Sequence, residues 1–184
     1  MIFFNNGPID STWTLFLDRD GVINRQIPDD YVRTWDDFIF NEGALHALQQ
    51  FAQMFNRIII VTNQQGVGKG LMTEADLDII HQKMLDLISK AGGRIDAIYA
   101  ATPIVALDDK GMRKPNIGMA LQAQQENSKI DFTKSIMIGD SKSDMEFGKN
   151  AGMHTIFIHK NKPHQIPENL IDAQAESLAQ IRFL

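Results

Sequence analysis

The chain contains no cysteine. That single absence rules out disulfides, thiolate zinc sites and a cysteine nucleophile together, so any bound metal must be held by oxygen or histidine. Long Lys or Arg runs are missing as well, and the formal net charge is -5. The chain therefore lacks the electrostatic footprint of a general nucleic-acid binder, and no nucleic-acid partner is expected; a small anionic ligand would need a local positive pocket. No apolar stretch approaches the roughly 18 residues of a membrane span. Met1 to Trp13 has neither the basic start nor the long apolar core of a signal peptide. Internal repeats, low-complexity tracts and linkers are also absent. The expectation is a cytoplasmic monomer with no membrane partner. With 184 residues, 43% hydrophobic and 22% charged, it should form one domain over 1–184 with its own core.

Short apolar runs rich in branched residues alternate with longer stretches of helical period. This rhythm argues for an α/β fold, a parallel sheet with crossover helices. Strands are expected at about Trp13 to Leu17, Arg57 to Val61, Ile95 to Ala100, Ser135 to Ile138 and Thr155 to Ile158. Helices are expected over Gly43 to Phe55, Glu74 to Lys90, Pro115 to Asn127, Asp144 to Asn150 and Asn169 to Phe183. The first groups Leu45, Leu48, Phe51, Ala52 and Phe55 on one face, the second Leu77, Ile80, Met84, Leu87 and Ile88. Thr73 reads as a helix start, and Pro115 as a first helical residue whose missing N–H costs nothing. Residues Arg19 to Asn41 form a long insert, whose Tyr31 and Trp35 favour order.

Thr14-Leu15-Phe16-Leu17-Asp18-Arg19-Asp20-Gly21 ends an apolar run in two carboxylates spaced two apart. Residues two apart at a strand end point the same way, so Asp18 and Asp20 can converge on one small volume. Two converging carboxylates repel unless a cation lies between them, and Mg2+ needs only one or two carboxylates with phosphate and water. For this segment alone a solvated turn is an equal reading. Three further segments bear on the choice: Thr62-Asn63-Gln64-Gln65-Gly66-Val67-Gly68-Lys69-Gly70 after the second strand, Arg113-Lys114-Pro115, and Gly139-Asp140-Ser141-Lys142-Ser143-Asp144 after the fourth. Open parallel sheets bind ligands beyond the carboxyl ends of their strands. Polar, chemically useful residues at all these ends are hard to explain as independent turns.

Nucleotide and calcium motifs fail in detail. The glycine loop has Asn63 and Gly70 where a Walker loop needs Gly and Ser/Thr, and Val22 stands where an EF-hand needs a ligand. Its glycine N–H groups remain free to face an anion in this reading. The histidines, His46, His81, His154, His159 and His164, share no ligand spacing, which points to structural or surface roles. Trp35 and Tyr31 read as packing residues.

Over about Phe16 to Gly152 the sequence resembles the haloacid dehalogenase (HAD) superfamily of phosphohydrolases, whose four motifs occur here in order. Asp18-Arg19-Asp20-Gly21-Val22-Ile23-Asn24, the Thr62 to Gly70 segment and Arg113-Lys114-Pro115 look most like the heptose-bisphosphate phosphatase branch, with histidinol-phosphate phosphatases as close relatives. The resemblance implies a HAD-like Rossmannoid sheet flanked by helices, with loops in place of a cap domain. It implies Asp18 as nucleophile, Asp20 as general acid/base, and Mg2+ held by Asp18, the Asp20 carbonyl and Asp140. Arg19, Thr62, Asn63, Arg113 and Lys114 would contact phosphate or substrate; Asp144 would orient Lys114 or a metal-bound water, and Lys142 would sit on the anionic rim. The partner is then a small phosphorylated metabolite, a sugar phosphate. Those two groups commonly carry a zinc loop of three cysteines and a histidine before Arg-Lys-Pro; here Ala101 to Met112 has none, so no zinc is expected and the loop must be held by packing. Polynucleotide 3'-phosphatases share the Thr-Asn-Gln loop. A phosphoaspartate signalling receiver uses a similar acidic pocket, but a water-activating residue such as Asp20 argues against one.

Overall fold

The computed structural model describes residues 8–104, 108, 111–159 and 165–183. Six parallel strands, β1 (Thr14–Leu17), β2 (Arg57–Asn63), β3 (Ala97–Ala101), β4 (Ser135–Gly139), β5 (His154–Ile158) and β6 (Ala173–Ala175), lie in the order β3-β2-β1-β4-β5-β6. Parallel neighbours need crossovers, and α1 (Ala44–Met54), α2 (Gln65–Gly68), α3 (Glu74–Lys90), α4 (Gly118–Glu126) and α5 (Lys142–Ala151) occur in them. The chain moves outward from β1 to β2 and β3, then returns to the other side of β1 as β4. The carboxyl ends of β1 and β4 thus flank the topological switch point, where such sheets open a ligand crevice.

Alternation along the strands sorts the core onto both faces. Leu15, Leu17, Ile58 and Ile60 pack with Leu48 and Phe51 of α1 and Ile80 and Met84 of α3. Phe16, Ile59 and Val61 pack on the opposite face with Met119, Ala120 and Ala123 of α4 and Phe147 of α5. Residues buried on both faces explain why these strands read as continuous apolar runs. Register fixes the ends: Leu17 is opposite both Ile60 and Ile138, so Asp18 stands level with Val61 and Gly139.

Three expectations change. The segment Asn169 to Phe183 is not a helix: it forms a 3-10 turn at Glu168–Leu170, strand β6 and a second turn at Leu178–Gln180. Its Ala, Gln and Leu content favours helix, but Ile156 and Ile158 of β5 offer Ala173 and Ala175 an open ladder, and tertiary pairing overrides the propensity. Pro115 does not begin α4; it follows a cis peptide bond to Lys114, with the Asn116 N–H donating to the Arg113 carbonyl, and the helix starts at Gly118. Leu87 is exposed rather than on the buried face of α3, which consists of Leu77, Ile80, Met84 and Ile88. Thr73 caps that helix as expected, accepting from the Asp76 N–H at 3.1 Å while the Asp76 carboxylate accepts from the Thr73 N–H.

The insert between β1 and α1 is ordered by polar and aromatic contacts. The Asn41 amide donates to the carbonyls of Gly21, Val22 and Asn24 at 3.1, 2.8 and 3.0 Å. Trp35 stacks on Phe38, which meets Phe40 edge-on.

Candidate active site

Beyond the ends of β1, β2 and β4 lies a cleft of about 220 Å3, lined by Asp18, Asp20, Gln26, Thr62, Asn63, Lys114, Asp140, Ser141, Ser143 and Asp144. A larger hollow of about 590 Å3, near Glu42 and Glu176, is lined by only Gly21 and Val22 from the motifs and by none of their charged side chains. We assign the site to the smaller cleft, since chemistry follows the convergent groups rather than volume.

Asp18 follows β1, its N–H held by the Ile138 carbonyl at 2.9 Å. Lys114 reaches it from the loop before α4: Nζ is 2.6 Å from Asp18 Oδ1 and 2.6 Å from Asp144 Oδ1, and donates to the Val61 carbonyl at 2.8 Å. All three side chains are almost completely enclosed. Burial pushes the Asp18 carboxyl up to about 7; Lys114 opposes that, while the Asp144 and Asp20 carboxylates add to it. Burial works against the Lys114 ammonium too, yet Asp144 and Asp18 together hold its pKa above the usual lysine range. The lysine stays charged between two acids.

Asp144 does two jobs. Its Oδ1 pairs with Lys114, while Oδ2 accepts from the Ser141 N–H at 3.0 Å and hydroxyl at 2.6 Å. Ser141 is the N-cap of α5 and forms a capping box with Asp144. The expected role of Asp144 in orienting Lys114 matches this geometry.

Carboxylate oxygens of Asp18, Asp140 and Asp144 lie within 4.8 Å of one another. The space for Asp140 exists because residue 21 is glycine: a Cβ there would come 1.8 Å from Asp140 Oδ2, and the backbone has φ +94°. Four carboxylates against one ammonium line the cleft, an imbalance a hard divalent cation would relieve. The oxygen-only donor set suits Mg2+. With Asp144 engaged by Lys114 and Ser141, Asp18 and Asp140 are the carboxylates placed to hold it.

Asp20 lines the same cleft with its side chain 24% exposed. Its carboxylate accepts from Asn24 at 2.8 Å, from Gln64 at 2.6 Å and from the Arg19 guanidinium at 2.9 and 3.0 Å. The Gln64 amide also donates to the Thr62 hydroxyl at 3.0 Å. Neither Asn24 nor Gln64 carried a role in the sequence reading. Their place inside the Asp18 to Asn24 and Thr62 to Gly70 motifs was the available signal.

Other expected contacts move. Arg19 is not at the ligand surface: its side chain is 0% exposed and spent on Asp20 and on His81 of α3, so a substrate contact is replaced by a structural one. Burial, and then the Arg19 charge, lower the His81 pKa to about 4. Asn63 lines the cleft, but its amide spans the Lys114 backbone, accepting from the N–H at 3.0 Å and donating to the carbonyl at 3.2 Å. Its first role is to dock the lysine loop on β2. Arg113 neighbours this loop without lining the cleft. Lys142 is 58% exposed and pairs with Glu146, also outside the lining.

Two of the three glycine N–H groups in the glycine loop are engaged within the protein rather than free for an anion. Gly68 donates to the Thr102 carbonyl and Gly70 to that of Val67, and a Cβ on Gly68 would meet the Thr102 oxygen at 2.6 Å. The glycine permits α2 to pack against the segment after β3. Within the cysteine-free loop, Asp108 accepts from the N–H groups of Met112 and Arg113 at 2.8 and 2.9 Å. Residues 105–107, 109 and 110 lie outside the described residues, so the expectation that packing holds this loop rests only on the positions around them.

Known proteins resemble this chain in sequence and in fold. Residues 14–157 match the family model described as Polynucleotide kinase 3 phosphatase. A D-glycero-alpha-D-manno-heptose-1,7-bisphosphate 7-phosphatase of Mycobacterium bovis is 41% identical over 139 residues, covering 76% of this chain and 73% of the relative. A D-glycero-beta-D-manno-heptose-1,7-bisphosphate 7-phosphatase of Photorhabdus laumondii is 34% identical over 174 residues, covering 91% and 87%. Among solved structures, the D,D-heptose 1,7-bisphosphate phosphatase of B. bronchiseptica, complexed with magnesium and phosphate, superposes with a TM-score of 0.80 at 28% identity, covering 91% of this chain and 94% of that one.

Proposed function

From the premise that this chain belongs to the HAD-superfamily phosphatases, a membership its family-model match and its relatives at 41 and 34% identity establish, we propose that it is a Mg2+-dependent sugar-phosphate phosphatase. The proposed substrate is D-glycero-D-manno-heptose 1,7-bisphosphate, cleaved at the 7-phosphate. One observation carries the reading: a buried carboxylate, Asp18, touches a buried lysine at 2.6 Å and shares its cleft with Asp140 and Asp20.

In the proposed reaction an Asp18 oxygen attacks phosphorus and the ester P–O bond breaks, its electron pair leaving on the sugar oxygen. Asp20 gives that oxygen a proton. The phosphoryl group now rides on Asp18, dividing one hard displacement into two easier ones. Asp20, left ionised, takes a proton from water as that water attacks phosphorus, releasing inorganic phosphate and restoring Asp18. Lys114 offsets negative charge on the nucleophile and on the transferring group, while Thr62 and an Asn63 N–H present donors to phosphate oxygens. Bound Mg2+, held by Asp18, the Asp20 carbonyl and Asp140, would supply charge neutralisation between an anionic nucleophile and an anionic phosphate. Arg113 is kept as a candidate contact to the distal part of the substrate.

The heptose substrate is supported by the relatives' activities. The name of the matching family model supports a second reading, a polynucleotide 3'-phosphatase, and histidinol phosphate is a third candidate. Phosphate release should be measured from heptose 1,7-bisphosphate, histidinol phosphate and a 3'-phosphorylated oligonucleotide, with Mg2+, after EDTA, and after Mg2+ is restored. The highest kcat/KM is expected on the heptose bisphosphate, lost with EDTA and recovered with Mg2+. A best substrate outside the sugar phosphates would overturn the specificity, and full activity in EDTA would overturn the metal.

A further inference from the structure

Arg19 carries a positive charge into complete burial, yet in the proposed reaction it touches neither phosphate nor metal. Its guanidinium is held at both ends. On the cleft side Nη2 reaches both oxygens of Asp20 at 3.0 and 2.9 Å, with Nε 3.3 Å from Oδ1. On the far side Nη1 is 3.1 Å from Nε2 of His81. Arginine has no acceptor, so this contact requires a lone pair on Nε2: His81 is neutral, with its proton on Nδ1. His81 lies on the third helix and does not line the cleft. It is the distant end of a chain of contacts whose near end is the acid/base.

The geometry points to His81 and Arg19 as positioning residues for Asp20: by accepting from Nη1, the His81 ring fixes the plane of the guanidinium, and that plane fixes the carboxylate that exchanges protons with the leaving group and with water. Asn24 and Gln64 hold Asp20 from other directions, but they are single amide donors. Only Arg19 meets both oxygens with a rigid fork. Proton transfer needs a heavy-atom separation near 2.6–3.2 Å, so a carboxylate free to rotate spends less time in reach of the ester oxygen.

The inference rests on the reading of Asp20 as general acid, and the test separates the two. The comparison is kcat/KM on the best alkyl phosphate of the panel above, whose leaving group needs a proton, against p-nitrophenyl phosphate, whose leaving group does not. Because kcat/KM reports on the path to the phosphoenzyme alone, slow hydrolysis of that species does not blur it. Asp20→Asn should lose about a hundredfold or more on the alkyl ester and far less on the nitrophenyl ester. His81→Leu should show the same selectivity with a loss of about tenfold or more on the alkyl ester. His81→Gln, whose amide oxygen can accept from Arg19, should recover most of it. Arg19→Lys, which keeps the charge and loses the fork, should behave like His81→Leu, and serves in its place if the leucine variant does not fold.

Equal losses on both esters, or no loss, in the His81 and Arg19 variants would overturn the positioning role while leaving a selective Asp20→Asn intact. An unselective Asp20→Asn would bring down the acid/base reading itself, and the inference with it.

Discussion

Lys114 is the cation around which the buried acids of the cleft are arranged. Its Nζ meets Asp18 and Asp144 at 2.6 Å each, in a place where water does little to screen any of the three. Deleting one partner of a buried ion pair leaves the others charged and unsolvated, a loss of about 3–5 kcal/mol. Lys114→Met should therefore lower the unfolding free energy by about that amount in denaturant titrations at neutral pH, and should abolish measurable turnover. A stability change within about 0.5 kcal/mol of wild type would contradict the arrangement. At this scale the sequence was most legible where chemistry is local. Asp18, Asp20 and Asp140 announce themselves as carboxylates at strand ends, and Lys114 by its neighbours Arg113 and Pro115. Arg19 sits between two cleft residues in sequence, which points it toward the ligand, while the fold turns its side chain to the interior. Gln64 is not legible from sequence, because its partner, Asp20, lies 44 residues away and no local pattern marks the pair.

The elements show the same division between local signal and distant contact. Strands β1, β2 and β4 were readable because both their faces are buried, which leaves unbroken apolar runs. The α3 boundaries followed from the Thr73 cap and the 3.6-residue period. The C-terminal segment was not readable, since what makes it a strand is the open edge of β5 and one carboxylate. Asp172 accepts from the Thr155 N–H at 2.8 Å and hydroxyl at 3.1 Å and pairs with Lys149 at 2.6 Å, fastening β6 to β5. Burial works against the charged form of Asp172, but Lys149 and Thr155 outweigh it and hold its pKa below the usual carboxylate value. A depressed folded-state pKa contributes stability that is present above the unfolded value, about 3.9, and is lost as pH falls through the lower folded value. Asp172→Asn should accordingly be less stable than wild type from about pH 5 to 8, with the gap closing below about pH 4. Thermal or denaturant midpoints across that range provide the check. A gap that persists unchanged into acid would assign the effect to shape rather than to charge.

At the scale of the whole molecule, the strand order β3-β2-β1-β4-β5-β6 explains why residues from four separate segments share one cleft. Asp18 and Asp140 flank the switch point, Thr62 is next to last in the neighbouring strand, and the Asn63 amide docks the Lys114 loop on top of it. Parallel strands aligned in register bring all these ends to one edge, so the topology converts a list of motifs into a constellation. The class of chemistry was legible because the Asp18, Thr62 and Asp140 motifs fall at carboxyl ends, with Lys114 supplied by the loop before α4. The substrate was not, because the residues beyond the phosphate lie in loops whose sequence departs from the zinc-bearing pattern. Asp18 is the centre of the account, as the group proposed to accept the phosphoryl. Asp18→Asn is nearly isosteric and leaves Lys114 its Asp144 and Val61 partners, so the folded protein should persist. The most direct measurement is phosphate release by that variant with Mg2+ and the best substrate of the panel, checked for native thermal unfolding. The account predicts a loss of at least about a thousandfold in kcat; turnover within about tenfold of wild type would contradict it.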